Sequence, residues 1–387
     1  MFDKEKIMLS SLAKSRYVKS ISSRKVFIVF AGIIGDTVCF LPTIKKYKEI
    51  FKKSDGYEVT YFLKPVAHKF LDAIEGYSDL HIIDLDYTKF CSDYQYYKKI
   101  KHQYFQQPVE YVICPQRSIS ASIVALNIKA TYKIGLEYTL PCNNKLKAII
   151  FDKAFNKKVI VQDDITTLPA MNGVLNSVAT RSYRNLLPHI NSDHSPNSYG
   201  DYCVLGPYSS VVAKEWEIEK FAEIAKKAIQ ENLKVVLVGN TKDDSKIKIF
   251  LSLVPAENVI NLINKTSFSE WIDVIRNAKF LVSCDSAAVH IAAGVDTPCV
   301  CISGGMDEGL MYPYVVDELE TNQYLPIIIM SKHEDCFKCR RIGEYYGYGN
   351  PTCKKEIEAN KPMLCIQKIS VDQVWNGVAK ILRDLGK

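Results

Sequence analysis

Three stretches of this 387-residue chain, and one set of cysteines, combine residue types and spacings capable of chemistry. The first is Ala31-Gly32-Ile33-Ile34-Gly35-Asp36, directly after the apolar run Val26–Phe30. Gly32 and Gly35 let a backbone turn tightly beside a ligand, and Asp36 is placed to open the next helix. Asp36 is equally a favoured helix cap, and a cap at a cleft mouth can still serve as a catalytic carboxylate. The second is Gly206-Pro207-Tyr208-Ser209-Ser210 with Lys214-Glu215-Trp216. Its hydroxyls and free amides suit a phosphate and Lys214 supplies the opposing charge, although an ordinary loop with a solvated lysine fits the same residues.

The third stretch is Val282-Ser283-Cys284-Asp285-Ser286-Ala287-Ala288-Val289-His290. Here a strand ends, Asp285 or Ser286 caps a helix, and His290 stands about one turn in. Amides at that helix start would attract an anion. The plain alternative makes Asp285 only a cap and His290 only a hydrogen-bonded helix residue. Lastly, Cys336, Cys339, Cys353 and Cys365 form C-x2-C-x13-C-x11-C in a charged segment of little periodicity. Four thiols have the ligand count of a closed tetrahedral iron or zinc site, and such a cross-link would order a segment too polar to pack. Redox chemistry at Cys336 and Cys339, or unligated thiols, are the competing readings. The other eight of the 12 cysteines are scattered in apolar surroundings and read as small buried hydrophobes.

Positioning these residues calls for alternating strands and helices. After Val26–Phe30 comes a helical run with Val38, Leu41, Ile44, Tyr47 and Phe51 at three- and four-residue spacing. Strands are expected at Glu58–Leu63, Leu80–Asp84, Tyr111–Cys114 and Tyr132–Gly135. Asn191–Asp201 is polar and aperiodic and reads as a linker. Beyond it, strands are expected at Tyr202–Leu205, Lys234–Val238, Asn258–Asn261, Phe280–Ser283 and Pro298–Ile302. Helices are expected at Glu217–Asn232, Asp244–Leu253, Ser267–Asn277 and Ser286–Gly294. Continuous apolar runs of this kind suit parallel sheets covered on both faces. The expected architecture is α/β, with a basic extension over 1–24 and doubly wound domains over 25–195 and 196–387. The active site then lies in a cleft at the carboxyl ends of both sheets.

Composition narrows the function. A net charge of +7 suits anionic substrates such as nucleotide diphosphates, and no basic stripe interleaved with aromatics points to nucleic acid. Residues 1–24 carry six lysines and arginines against Asp3 and Glu5, which reads as a solvated extension, with contact to an anionic membrane surface as the second reading. The N-terminus lacks a basic-then-apolar secretion signal, and no apolar run spans a bilayer. A cytoplasmic protein is expected, with peripheral contact to the inner face of the cytoplasmic membrane as an extension of that expectation.

In their order along the chain, these elements resemble the heptosyltransferases, glycosyltransferase family 9. The G-x-x-G-D opening, a "pGas…K-x-W" element at Gly206–Trp216, a "D-T-G-x-x-H-x-A-A" signature at Asp285–Ala293 and a C-terminal cysteine set all recur, over roughly Lys25 to Leu385. The resemblance implies two Rossmann-like domains of the GT-B type facing a central cleft, with a four-cysteine loop. It implies inverting transfer from an ADP-heptose-type donor to a bacterial surface glycan such as lipopolysaccharide core, with no organic cofactor. By the same resemblance Asp36 is the general base, and Ser209, Ser210 and Lys214 hold the diphosphate. Asp243 binds the ribose, and Asp285, Ser286, Ala287 and His290 line the donor-sugar site. Ser286 and Ala287 depart from Thr and Gly, which puts the donor identity in question. Some relatives heptosylate autotransporter proteins and hold iron on four cysteines, so the acceptor is a glycan, glycolipid or protein. A catalytically silent nucleotide-binding module, or a GT-B enzyme using another nucleotide sugar, are the rival classes.

Overall fold

The computed structural model describes residues 2–13, 17–18, 23–137, 145–160, 166–192, 199–332, 336–339 and 362–386. It divides into two compact units, one of residues 1–72 and 76–186, the other of 73–75 and 187–387.

In the first unit six strands form one parallel sheet: β1 Lys25–Phe30, β2 Glu58–Leu63, β3 Ile82–Asp84, β4 Val109–Cys114, β5 Ala130–Leu136 and β6 Lys157–Val159. Their spatial order is β3-β2-β1-β4-β5-β6. β1 is buried at every position after Lys25, as a central strand covered on both faces must be. The second unit repeats the plan with β7 Tyr202–Gly206, β8 Lys234–Leu237, β9 Val259–Asn261, β10 Leu281–Cys284, β11 Cys299–Ile302 and β12 Ile327–Ile329. Its order is β12-β11-β10-β7-β8-β9, all pairs parallel. Read from its first strand outward, each sheet runs 3-2-1-4-5-6, the doubly wound α/β arrangement.

The expected strands all form, with ends shifted by two residues or fewer. β6 and β12 have no counterpart in the sequence reading. Each is a three-residue edge strand, and β6 carries Lys157 and Lys158, the charged protection typical of an edge. Residues 2–13 of the basic extension are not a solvated leader. Phe2–Ala13 is a helix whose Ile7 and Ser11 are fully buried. These two positions lie four apart and so on one helix face, and the Ser11 hydroxyl accepts from Asn127 Nδ2 at 2.8 Å. Seven of the eight scattered cysteines are described, and all seven are buried; Cys142 lies outside the described residues.

The tail is built into the second unit. The helix Val371–Asp384 starts with a reciprocal Ser370–Gln373 capping box. A Cβ added to its Gly377 would stand 3.1 Å from Val300 Cγ2 of β11, so glycine permits close packing there. Among the described residues, no helix is long and apolar enough to cross a membrane.

Candidate active site

In a sheet of this order the chain reverses its direction of winding between the first and fourth strands. The loops leaving those two strands diverge, and a crevice opens at their carboxyl ends. In the first unit this point lies between β1 and β4, which pair directly.

Asp36 stands there, but not as the helix cap expected from sequence. The helix opens two residues earlier, at Ile34, with Ile33 as its extended N-cap. A β-branched apolar side chain cannot cap, so the carboxylate at the third helical position reaches back instead. Asp36 Oδ2 accepts from Ile33 N at 3.0 Å. Its Oδ1 accepts from Gln116 Nε2 at 2.8 Å, and Gln116 lies just after β4. Gly32 is dictated by crowding: a Cβ would come within 2.6 Å of Asp36 Cβ and 2.4 Å of the Phe30 ring. Gly35 is buried inside the first helical turn. Lys64, just after β2, has its ammonium pKa lowered by burial, with Asp36 and then Asp86 opposing that shift.

The corresponding point of the second unit lies between β7 and β10. From the loop after β7 comes Lys214, buried in a short 3-10 turn Val212–Lys214. From the end of β10 comes Asp285, also buried, and the Lys214 ammonium donates to its Oδ2. Lys214 also donates to Asp307 Oδ1 at 3.3 Å, and Asp307 is fully buried beyond β11. Tyr312 completes the cluster, its hydroxyl donating to Asp285 Oδ1 at 2.8 Å. Burial alone would raise the Asp285 pKa, but Lys214, His290 and Tyr312 together hold it below the usual carboxylate range. Asp307 is pushed upward, because burial there outweighs its more distant contact with the same lysine. One ammonium between two buried carboxylates thus keeps the nearer one ionised.

Ser286 is the helix cap, accepting from Ala288 N at 3.3 Å, so Asp285 is left to the cluster. Ser286 and Ala287 are half-buried at the start of helix Ala287–Gly294, where amide hydrogens are exposed to an anion. His290 is buried, hydrogen-bonds through Nδ1 to the Tyr314 hydroxyl, and has its pKa pushed down to about 4 by burial. Ser209 joins the site by donating to the Asp285 carbonyl at 3.2 Å, whereas Ser210 is exposed. Asp243 is exposed in the loop after β8, where its carboxylate accepts from Ser245 N at 2.9 Å. That bond lowers its pKa.

The Lys-Glu-Trp element has three separate tasks. Lys214 enters the charged cluster. Glu215 is buried, ties back to Ser209 N at 3.2 Å and pairs with Lys246. Trp216 donates from Nε1 to Ile369 O at 3.0 Å, and Met363 N donates to Ala213 O at 2.9 Å, so the tail clamps the loop from behind.

Of the four clustered cysteines, Cys336, Cys339 and Cys365 are described and Cys353 lies outside the described residues. Two consecutive glycines seat them. A Cβ on Gly304 would lie 3.6 Å from Cys365 Sγ, and one on Gly305 would lie 2.7 Å from the Phe337 ring. Lys338 N donates to Gly305 O at 3.0 Å. Among the described residues, no group of three or more His, Cys, Asp or Glu is close enough to hold a metal ion. Gln116, Asp307, Tyr312 and Tyr314 escaped the sequence reading. Only Asp307 carried a signal, as a carboxylate (beside Glu308) closely following a buried strand.

Several known proteins are similar to this chain. A segment of 95 residues is 34% identical to lipooligosaccharide heptosyltransferase 2 of Haemophilus influenzae, covering 24% of this chain and 28% of that protein. A segment of 115 residues is 30% identical to lipopolysaccharide heptosyltransferase 3 of Escherichia coli, covering 29% and 33%. The chain therefore spans about a third or less of the length of these curated relatives. Among solved structures, E. coli heptosyltransferase WaaC with ADP superposes with a TM-score of 0.63 at 14% identity, covering 92% of this chain and 99% of that one. The iron-containing dodecameric glycosyltransferase TibC from enterotoxigenic E. coli gives 0.58 at 16% identity, covering 95% and 78%. Both likenesses concern the fold. The sequence model of glycosyltransferase family 9 (heptosyltransferase) matches residues 97–342, more than half of the chain, and the chain belongs to that family.

Proposed function

We propose that this chain transfers a heptose, with inversion, from an ADP-heptose-type donor to a bacterial surface glycan such as lipopolysaccharide core. One observation carries the reading: Asp36 and the Lys214–Asp285–Ser286 group each stand at the carboxyl-end reversal point of a doubly wound sheet. Asp36 takes the proton of the acceptor hydroxyl as the new bond forms at the anomeric carbon. The bond from that carbon to the diphosphate breaks, and the nucleotide diphosphate leaves as an anion that needs no protonation. Amides at the Ser286 helix start, with Lys214 behind them, stabilise the charge that builds on the leaving group. Asp243 is assigned to the nucleotide ribose, and His290 to the shape of the donor pocket. The reading requires the acceptor oxygen held at Asp36 to reach the anomeric carbon held at the second half-site.

The test is incubation with ADP-heptose and a deacylated lipopolysaccharide core oligosaccharide lacking heptose, followed by mass spectrometry. A gain of one heptose supports the reading. Release of ADP-heptose hydrolysis products alone, across all glycan acceptors, counts against a glycan acceptor.

A protein acceptor is the second reading. It is favoured by the Gly304–Gly305 seat, which draws Cys365 and the Cys336–Cys339 turn to adjacent positions. In this reading Cys336, Cys339, Cys353 and Cys365 would hold a structural metal ion, and such an ion would cross-link an otherwise polar segment. Elemental analysis of the purified protein tests the metal, with iron or zinc near one per chain as the expected result. Intact-mass analysis of candidate protein acceptors separates the two acceptor classes. Action at the inner membrane face follows if the acceptor is a membrane glycolipid.

A further inference from the structure

We propose that Gln116 is a positioning residue for Asp36: its amide nitrogen fixes the carboxylate for proton abstraction and favours its charged form. The inference rests on the reading of Asp36 as the general base.

The placement follows from topology. Asp36 follows β1 and Gln116 follows β4, and these strands pair across the reversal point, so residues 80 apart in sequence meet at one carboxyl end. The carboxylate is then held at both oxygens, Oδ2 by Ile33 N at 3.0 Å and Oδ1 by Gln116 Nε2 at 2.8 Å. Two donors in different directions leave a carboxylate little rotational freedom.

The amide has only one useful orientation. Turning it over would set its carbonyl against the carboxylate, two acceptors face to face. In the orientation present, Gln116 Oε1 is buried without a hydrogen-bond partner. A glutamine kept only to fill the loop would be expected to satisfy that oxygen. Here the donation to Asp36 takes precedence. Charged groups near the carboxylate include Lys64 after β2, with Asp86 beyond it, and Arg117 follows Gln116 in the chain. Gln116 itself does not titrate, so its contribution can be separated from theirs.

The experiment follows the pH dependence of kcat for heptose transfer from ADP-heptose to the same deacylated core oligosaccharide. Three variants are compared with wild type: Asp36→Asn, Gln116→Met and Gln116→Glu. Gln116→Met removes the donor at similar volume. It should lower kcat about tenfold near neutral pH and move the acid limb upward by about one pH unit, with the KM for ADP-heptose within twofold. Gln116→Glu, isosteric but adding a like charge, should move that limb further. If Gln116→Met fails to fold, as judged by thermal unfolding, the limb in Gln116→Glu decides. An acid limb that stays in place in the folded variants overturns the inference, even if activity falls. If Asp36→Asn retains full transfer, or wild type transfers nothing, the functional reading fails and this inference falls with it. If Asp36→Asn is inactive and the limb is unmoved, only the role of Gln116 is lost.

Discussion

Two half-sites built on the same strand order have opposite electrostatic characters. In the first unit a half-exposed carboxylate, Asp36, accepts from two uncharged donors, Ile33 N and Gln116 Nε2. In the second, one ammonium and two carboxylates are sealed away, with Lys214, Asp285 and Asp307 all nearly inaccessible to solvent. On the proposed function, the difference follows from what each would have to do. A base that exchanges protons with a substrate has to be reachable and free to change charge. A group that receives a leaving diphosphate works best when its surroundings are fixed beforehand, since reorganisation during the reaction adds to the barrier. The shared sheet supplies a place for a ligand, and local burial decides what chemistry is done there.

The sharpest test of this contrast separates activity from stability. Asp36→Asn should lower transfer by about 10²–10⁴-fold, the range for loss of a general base. It should leave the urea midpoint close to wild type, because asparagine can still accept from Ile33 N. Lys214→Met should behave the other way in denaturation. It strands Asp285 and Asp307 in a buried site, at a cost of about 3–5 kcal/mol in urea unfolding. Adding Asp307→Asn to Lys214→Met should recover part of that loss. If Lys214→Met is inactive but fully stable, the buried cluster is not the frame inferred here.

Acid should weaken the second unit through His290. Its pKa is 6.5 in the unfolded chain and about 4 when folded, so only the unfolded chain takes up a proton between those values. Stability from this residue is complete above pH 6.5, falls as pH drops towards 4, and is constant below that. The total is on the order of 3 kcal/mol. Asp307, whose pKa is raised, works in the opposite sense as pH falls towards 4, so the His290 contribution is read as the difference from His290→Gln. Equal acid sensitivity in the two proteins would contradict the assignment. The smallest expected effect is Trp216→Phe, which deletes the bond to Ile369 O. Lys220 Nζ still donates to that carbonyl at 3.1 Å, so about 1 kcal/mol is expected from melting curves. Donor KM should rise with little change in the acceptor KM.

Much of this could be read from the chain because strand, loop and helix boundaries leave local marks. Asp36, Lys214 and Asp285 each sit where an apolar run gives way to a cap or turn, and the structure puts all three at carboxyl strand ends. Gln116 leaves no such mark, since its importance comes from a residue 80 positions away. Asp307, Tyr312 and Tyr314 lie in irregular chain, where no periodicity announces burial. The edge strands β6 and β12 are three residues long and too short for alternation to show. The helix Phe2–Ala13 was masked by its charged residues, although Ile7 joins the core with Met8 and Leu12 packed against it and Ser11 bonds to Asn127.

The clamp on the Lys214 loop has a consequence for how the molecule is made. Ala213 and Trp216 find their partners in Met363 and Ile369, some 150 residues later in synthesis. The strands of the first unit can pair while the ribosome is still translating the second. The loop that carries Lys214 has to wait until Met363 and Ile369 have been made, so a chain released before Met363 would have Asp36 in place and no settled position for Lys214.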